Sequence, residues 1–337
     1  MVTTVTDSGR RVRVGILGAS RFAPMTIINP AKNHDEISIV SVASRDPLRA
    51  AAFAEKHAIP RVHPNYQALL EDPEIDAVYI ILPNSLHGRW TRAALEAGKH
   101  VLCEKPFMAN AAEAADLAAL AATSGRVVLE GFQHRYHPLT VRAEQIVASG
   151  ELGNLERIDI SVCVLLPKSS NTNVYDYGLG GGATMDAGSY AVNMMRTYGG
   201  DTPRVLSAEA RLDGPDLDRS MTAEFLFPQG HTGRIRCALW SSNLFRASAT
   251  VVGDRGRLRI LSPAAPHLFH RLSVRSADSR RVERFAKRSS FDYQLDAFAA
   301  AVLRGAPVKT PPSDAIDNHA VIDAIYGAAG LPVREPS

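Results

Sequence analysis

Between Arg11 and Glu130 short apolar runs alternate with helix-patterned segments, and that alternation leaves few folds open to the chain. Val12 to Leu17 (VRVGIL) reads as a buried strand that stops at Gly18. A helix is expected over Phe22–Lys32 and a second strand over Ile37–Ala43. Asp46-Pro47 opens the next helix, with proline at the first helical position, where its missing N–H leaves no bond unmade. That helix runs to about His57. Ala77 to Leu82 (AVYIIL) is apolar throughout, as a parallel strand covered on both faces should be. His87–Ala97 is helical and closes at Gly98, followed by a strand over Val101–Cys103. An alanine-rich helix over Ala109–Ser124 ends at Gly125, and Val127–Glu130 is the last strand. Repeated β-α-β units of this kind form a doubly wound parallel sheet, so the first half is an α/β domain.

After Gly131 the texture changes. A helix over Leu139–Ser149 leads into strand-like runs at Leu155–Leu165, Val205–Leu212, Thr222–Phe227, Gly233–Trp240, Ala247–Gly253 and Arg257–Leu261. Their β-branched content and turns such as Gly253-Asp254-Arg255-Gly256 indicate an antiparallel meander. Helices over Phe291–Leu303 and Ser313–Ala329 complete a second, α+β domain with a large, mostly antiparallel sheet and helices on one face. The division is expected at 1–131 and 132–331, with residues 1–10 flexible. Arg234 and Arg236 alternate with Ile235, Cys237 and Leu239, so one face of this sheet is either wet or meets a second subunit.

The 337 residues suit two domains, and 45% hydrophobic with 22% charged residues supplies an ordinary core. A net charge of +3, with Arg and Lys scattered, argues against a nucleic-acid partner. Cys103, Cys163 and Cys237 are far apart and form no CxxC pair, which fits a reduced, cytoplasmic protein. Residues 1–10 lack the apolar stretch of a signal peptide, and no run approaches eighteen apolar residues, so a membrane span is not expected.

A strand that ends in a tight turn before a helix is where a dinucleotide pyrophosphate meets backbone N–H groups. The turn here reads Gly18-Ala19-Ser20-Arg21-Phe22-Ala23. Only the first glycine of GxGxxG is kept, but Ser and Ala are small and Ser20 adds a hydroxyl donor. The second strand ends at Ser44-Arg45, where an NAD enzyme usually carries an acidic residue for the ribose 2′-hydroxyl. A hydroxyl and a guanidinium suit a 2′-phosphate instead, so NADP is expected with NAD as second choice. The competing reading of Arg45 is an ordinary surface arginine.

Three further segments carry a resemblance: Asn84-Ser85-Leu86-His87, Glu104-Lys105-Pro106, and the run from Gly180-Gly181-Gly182 through Asp186 and Gly188 to Tyr190. Over about residues 11–330 the chain resembles the glucose–fructose oxidoreductase and inositol dehydrogenase family, particularly its dihydrodiol dehydrogenase, xylose dehydrogenase and sugar ketoreductase members. The resemblance implies an active site between the domains with Lys105, Asp186 and Tyr190 as its catalytic set. Lys105 would reach the substrate oxygen and lower the pKa of the Tyr190 phenol, Asp186 would orient the pair, and Pro106 would follow a cis peptide. Arg21, Phe22, Leu82, Asn84, His87 and Glu104 join Gly18, Ser20, Ser44, Arg45 and Lys105 as cofactor residues. Arg135 and Tyr175 join the catalytic three around the substrate. For His87 a helix-start role competes, for Asp186 a helix N-cap, and for Tyr175 a loop anchor. His134 and His137 form HxxH, but no third ligand stands at helical spacing and no metal is expected. The implied reaction is hydride transfer to or from a carbinol carbon of a sugar, sugar derivative or cyclic diol, by a homodimer or homotetramer. A glycosidase that recycles a bound dinucleotide, or a non-catalytic cofactor-binding regulator, are the alternatives.

Overall fold

The computed structural model describes residues 9–168, 173–240, 246–277 and 279–337, so most of the segment expected to be flexible, residues 1–8, lies outside the described residues. Six strands form the first sheet: β1 (Val12–Leu17), β2 (Ile37–Ala43), β3 (Arg61–His63), β4 (Ala77–Ile80), β5 (His100–Cys103) and β6 (Val128–Glu130). All pairings are parallel, in the order β3-β2-β1-β4-β5-β6, which is the doubly wound arrangement expected. Between them run α1 (Asn29–Lys32), α2 (Pro47–His57), α3 (Tyr66–Leu70), α4 (His87–Glu96) and α5 (Ala111–Ser124). The Asp46 carboxylate caps α2 by accepting from the Leu48 and Arg49 N–H groups, and Gly125 ends α5 in the left-handed region (φ 65).

Apart from Arg13, which pairs with Asp76 near the start of the strand, β1 is apolar because its two sides face different cores. Val12, Val14 and Ile16 pack with Ile27 and Ile37, whereas Leu17 packs with Val78, Ile80 and Val101. The first of these cores is closed from far along the chain. α8 (Ser290–Arg304), reached after α6 (Pro138–Ala148) and α7 (Ser189–Gly199), contributes Leu295, Phe298 and Ala299 to it.

The second sheet has eight strands: β7 (Leu155–Cys163), β8 (Arg204–Leu212), β9 (Asp218–Leu226), β10 (Thr232–Ala238), β11 (Arg246–Gly253), β12 (Gly256–Leu261), β13 (Arg271–Ser276) and β14 (Arg280–Glu283). The order is β14-β13-β12-β11-β7-β10-β9-β8, antiparallel except where β10 lies parallel to β7. One face carries Ile158, Ile160, Phe225, Ile235, Val251 and Ile260 against the helices, including Met195 of α7. α9 (Pro312–Ala328) joins the halves, with Ala315 in the first sheet's core and Val321, Ile322, Ile325 and Tyr326 in the second's. No helix among the described residues is long and apolar enough to cross a membrane.

Candidate active site

The strand ends of the first sheet bring the cofactor residues together. Gly18 has φ 112, and a Cβ there would stand 2.7 Å from the Ile81 carbonyl oxygen and 3.1 Å from Leu82 Cδ2. Only glycine passes this close between two strands. The Gly18 N–H donates to the Ala43 carbonyl (2.9 Å), which ties the turn to the end of β2. Ser20 Oγ accepts from the Phe22 N–H (3.2 Å), leaving its own proton to give, and Arg21 lies over the exposed Phe22 ring. Ser44 is nearly covered, and Arg45 beside it is exposed. Sequence reasoning missed Arg49, which donates from α2 to the Ala19 carbonyl (2.8 Å) and braces the turn beside Arg45. A glycine-only cradle, a spare hydroxyl and an exposed guanidinium at the end of β2 fit a dinucleotide carrying phosphate groups.

At the end of β5 the Lys105–Pro106 peptide is cis. Lys105 Nζ donates to Asp186 Oδ1 (2.9 Å) and to the Asp186 carbonyl oxygen (2.8 Å), and stands 4.8 Å from the centre of the Tyr190 ring. The three residues assigned to catalysis therefore meet. Burial works against the ammonium, but Asp186 and Tyr190 outweigh it and raise the Lys105 pKa, so the side chain stays charged. The Tyr190 hydroxyl donates to Gln133 Oε1 (2.9 Å), while Gln133 Nε2 donates to the Ala264 carbonyl (3.1 Å) and fixes which end of the amide faces the phenol. Phe132 and His134 pack edge-on and tilted against the same ring. The expectation that Lys105 would leave the phenol with a lowered pKa is corrected here. Burial pushes Tyr190 up to about 12; Lys105 pulls it down, but lies over the ring and not on the hydroxyl.

The helix bearing Asp186 and Tyr190 starts earlier than expected. A wide turn over Thr184–Gly188 leads into α7, so Asp186 is inside the helical segment and is not its N-cap. The cap is Asp218 of β9, whose Oδ2 accepts from the Thr184 N–H and hydroxyl, both at 2.7 Å. The three glycines before the helix are each needed for close approach. A Cβ at Gly180 would lie 3.0 Å from the Ser85 N, at Gly181 2.6 Å from the Asp176 carbonyl oxygen, and at Gly182 2.2 Å from Asp218 Oδ1. Asn84 Nδ2 donates to the Gly180 carbonyl (2.9 Å), fastening the cofactor side to the glycine run. From the other side Arg334 donates to the Gly181 carbonyl (3.0 Å) and to Asp218 Oδ1 (3.1 Å), sandwiched between the Tyr177 and Tyr326 rings. Asp218 and Arg334 were not visible to motif reasoning, because neither lies near the segment it supports.

The remaining expected residues hold the frame. His87 is buried, with Nε2 2.9 Å from the Leu82 carbonyl oxygen and Nδ1 2.8 Å from that of Pro106. Burial lowers its pKa, and a neutral ring carries one N–H, so His87 donates to one of these two carbonyls and packs against the other between the two strand-end turns. The Glu104 carboxylate accepts from the Tyr79 hydroxyl. Arg135 faces Glu144 (3.5 Å) and Asp314 (4.0 Å), and none of its recorded partners belongs to the catalytic three. Tyr175 donates its hydroxyl to the Leu166 carbonyl (2.6 Å), the loop-anchor role. His137 caps α6 through Nδ1, accepting from the Leu139 N–H, while both His134 ring nitrogens are buried beside Tyr190. Glu130, unremarked in the sequence, is buried at the end of β6 and accepts from the Phe107 N–H (2.9 Å).

A glycine-closed strand-end turn that fits a phosphate, with a charged lysine at another strand end, its carboxylate partner and a half-buried phenol, is the arrangement of a dinucleotide-dependent oxidoreductase. Residues 12–132 match the oxidoreductase family with the NAD-binding Rossmann fold, and residues 140–259 match the GFO/IDH/MocA C-terminal domain. The chain belongs to this family of oxidoreductases. It is 35% identical over 321 residues to D-xylose 1-dehydrogenase (NADP(+)) 2 of Haloferax volcanii, covering 94% of this chain and 96% of that protein. It is 31% identical to the bovine (Bos taurus) trans-1,2-dihydrobenzene-1,2-diol dehydrogenase over 75% of each. Among solved structures, a 3-ketoreductase from Actinomadura kijaniata in complex with NADP and TDP-benzene superposes with a TM-score of 0.87 at 25% identity, covering 95% of this chain and 98% of that one. The family and these relatives make the chain a dehydrogenase or reductase acting between a carbinol and a carbonyl.

Proposed function

We propose that the protein is an NADP-dependent dehydrogenase or reductase of a sugar, sugar derivative or cyclic diol, with residues 1–131 holding the dinucleotide and 132–331 the substrate. The observation that carries this reading is the meeting of Lys105, Asp186 and Tyr190 beside the Gly18 turn. Gly18, Ser20 and Arg21 would hold the pyrophosphate, and Ser44, Arg45 and Arg49 the 2′-phosphate. The bound nicotinamide supplies or accepts the hydride. Lys105 Nζ stabilises negative charge on the substrate oxygen, and Asp186 keeps the ammonium in place. Tyr190 Oη exchanges its proton with that oxygen, and Gln133 orients the phenol. Because burial keeps the phenol protonated, carbonyl reduction finds Tyr190 already in its acid form.

The named substrates of the relatives, a pentose and a vicinal diol, support polyhydroxylated or cyclic substrates for this chain. The absence of a disulfide among Cys103, Cys163 and Cys237 accords with a cytoplasmic enzyme. Self-association as a homodimer or homotetramer through the open face of the second sheet is a separate proposal, checked by sedimentation at micromolar concentration. The catalytic reading is tested by screening sugars, inositols and cyclic diols, and their keto forms, with NADP(H) and NAD(H), following nicotinamide absorbance. Stoichiometric turnover with NADP supports it. Glycoside cleavage without net change in added cofactor would replace it.

A further inference from the structure

The segment 106–110, between the end of β5 and the start of α5, is neither helix nor strand, yet Phe107, Met108 and Ala109 are fully buried. A buried stretch of this kind has no ladder to satisfy its backbone groups. Side chains do so here, one residue after another. Glu130 Oε1 accepts from the Phe107 N–H (2.9 Å), His319 Nε2 from the Met108 N–H (3.2 Å) and Glu113 Oε2 from the Ala109 N–H (2.8 Å). Asp323 Oδ2 accepts from the Ala111 N–H (2.9 Å). Glu113 is close in sequence, but Glu130 comes from β6, and His319 and Asp323 come from α9.

His319 and Asp323, four positions apart, share the face of α9 that meets this segment. Val321, Ile322, Ile325 and Tyr326 of the same helix lie in the core of the second sheet. Near the start of α9, Asp314 Oδ1 accepts from the Arg196 guanidinium of α7 (2.9 Å). α7 carries Tyr190 and continues the turn that carries Asp186. One helix therefore holds both sides of the catalytic set: α7 through Asp314, and the main chain just after Lys105 through His319.

The chemistry of the two remote acceptors suits this task. A main-chain N–H can only donate, so His319 Nε2 is the bare nitrogen and the ring proton is on Nδ1. Burial, with His87 nearby, lowers the His319 pKa to about 3, so the ring stays an acceptor through the neutral range. Glu130 Oε1 accepts in either state of its carboxyl. Neither side chain hydrogen-bonds to Lys105, Asp186 or Tyr190 among the described residues, so their influence on the site passes through the backbone they hold.

We propose that His319 and Glu130 are positioning residues of the reaction: by holding the main chain at Met108 and Phe107 they fix the turn bearing Lys105, and with it the reach of Lys105 Nζ to Asp186 and to the substrate oxygen. The inference rests on the role proposed for Lys105.

The test is competitive labelling of the lysines of the full chain with acetic anhydride, read at each residue by mass spectrometry. Lys99, buried at the other end of β5 and held by the Asp72 and Ile75 carbonyls (both 2.8 Å), is the internal control. His319→Leu and Glu130→Met each leave a buried N–H without its acceptor. In both, Lys105 should label about tenfold faster than in the wild type, because an ammonium that slips from its carboxylate loses its proton more readily, while Lys99 stays unchanged. His319→Gln and Glu130→Gln keep an acceptor oxygen and should restore slow labelling. With NADP and the fastest sugar or diol of the screen, kcat should fall about tenfold in His319→Leu at unchanged dinucleotide affinity, and adding His319→Leu to Lys105→Met should cost nothing further. Unchanged Lys105 labelling in both His319→Leu and Glu130→Met would overturn the proposal. An equal rise at Lys99, or the same tenfold loss of kcat in the Lys105→Met background, would overturn it too. Normal kcat in Lys105→Met alone would overturn the role of Lys105, and the labelling would still decide whether His319 and Glu130 place its side chain.

Discussion

Arg334→Met tests whether the closing segment of the chain supports the active site. The guanidinium is 1% exposed, its partner Asp218 is fully buried, and the two are 3.1 Å apart between the Tyr177 and Tyr326 rings. Removing one member of a buried pair leaves the other charge unpaired and costs about 3–5 kcal/mol. Methionine keeps most of the volume, so little of that loss is a cavity effect. Against a total stability of roughly 5–15 kcal/mol the loss is large, and at about 2–3 °C per kcal/mol it lowers the melting temperature by roughly 6–15 °C. The activity loss is expected on kcat. Arg334 holds the Gly181 carbonyl and Asp218 caps Thr184, so both reach Asp186 and Lys105 through the start of the helix. A fall of about tenfold in kcat with unchanged dinucleotide affinity is expected, since a small misplacement of a catalytic group is costly. Adding Asp218→Asn removes the stranded charge while keeping an acceptor for Thr184. The double variant should therefore melt higher than the sum of the two single losses allows. Thermal denaturation followed by circular dichroism, with steady-state kinetics on the same samples, reads all three quantities. A shift under about 2 °C with normal kcat would refute the reasoning and make the segment a passive tail.

Lys105→Met and Tyr190→Phe should each lose about 10²–10⁴ in kcat while still binding NADP in a fluorescence titration, and the double variant should be little worse than Lys105→Met alone. With the phenol held up to about 12, alcohol oxidation should rise about tenfold per pH unit through the alkaline range while carbonyl reduction stays flat near neutrality, and Tyr190→Phe should abolish the oxidation slope. Arg45→Ala should weaken NADP about ten- to a hundredfold and leave NAD nearly untouched, and Ser44→Asp should favour NAD; equal losses for both cofactors would place the 2′-phosphate elsewhere. Burial, reinforced by Asp314, pushes the Glu130 carboxyl up to about 8, so the folded state favours its protonated form. Its contribution to stability is full below the unfolded carboxyl's pKa of about 4.3 and declines by about 1.4 kcal/mol per unit as pH rises, until it is lost through about 8. Glu130→Gln should flatten that decline in denaturant titrations across the same range, and an unchanged slope would mean that the carboxylate is accommodated.

What could be read beforehand, and what could not, follows from how far each interaction reaches. β4 was legible because a parallel strand buried on both sides has no polar side to interrupt it, and β1 because only Arg13, near its start, breaks an apolar run whose Leu17 and Val14 face different cores. β3 was missed because Arg61–His63 is short and partly exposed at a sheet edge, so it carries neither an apolar run nor an alternation. β13 and β14 escaped for a similar reason, with arginines at Arg271, Arg275, Arg280 and Arg281 masking the inward Leu272 and Val274. At the site, Lys105, Asp186 and Tyr190 were legible through resemblance because each sits in a local motif. Their supports are not local: Gln133 meets Tyr190 across 57 positions, Asp218 caps Thr184 across 34, and Arg334 meets Asp218 across 116. A polar segment such as Val333-Arg334-Glu335 has nothing in its own pattern to mark a buried cation, since the burial comes from Tyr177 and Tyr326. The same limit explains the phenol. Proximity to a lysine argues for a lowered pKa, but whether that charge or desolvation dominates depends on how completely Phe132, His134 and Gln133 close over the ring. Closure wins here, and it holds the Tyr190 phenol in its protonated form, the form that the proposed carbonyl reduction would use.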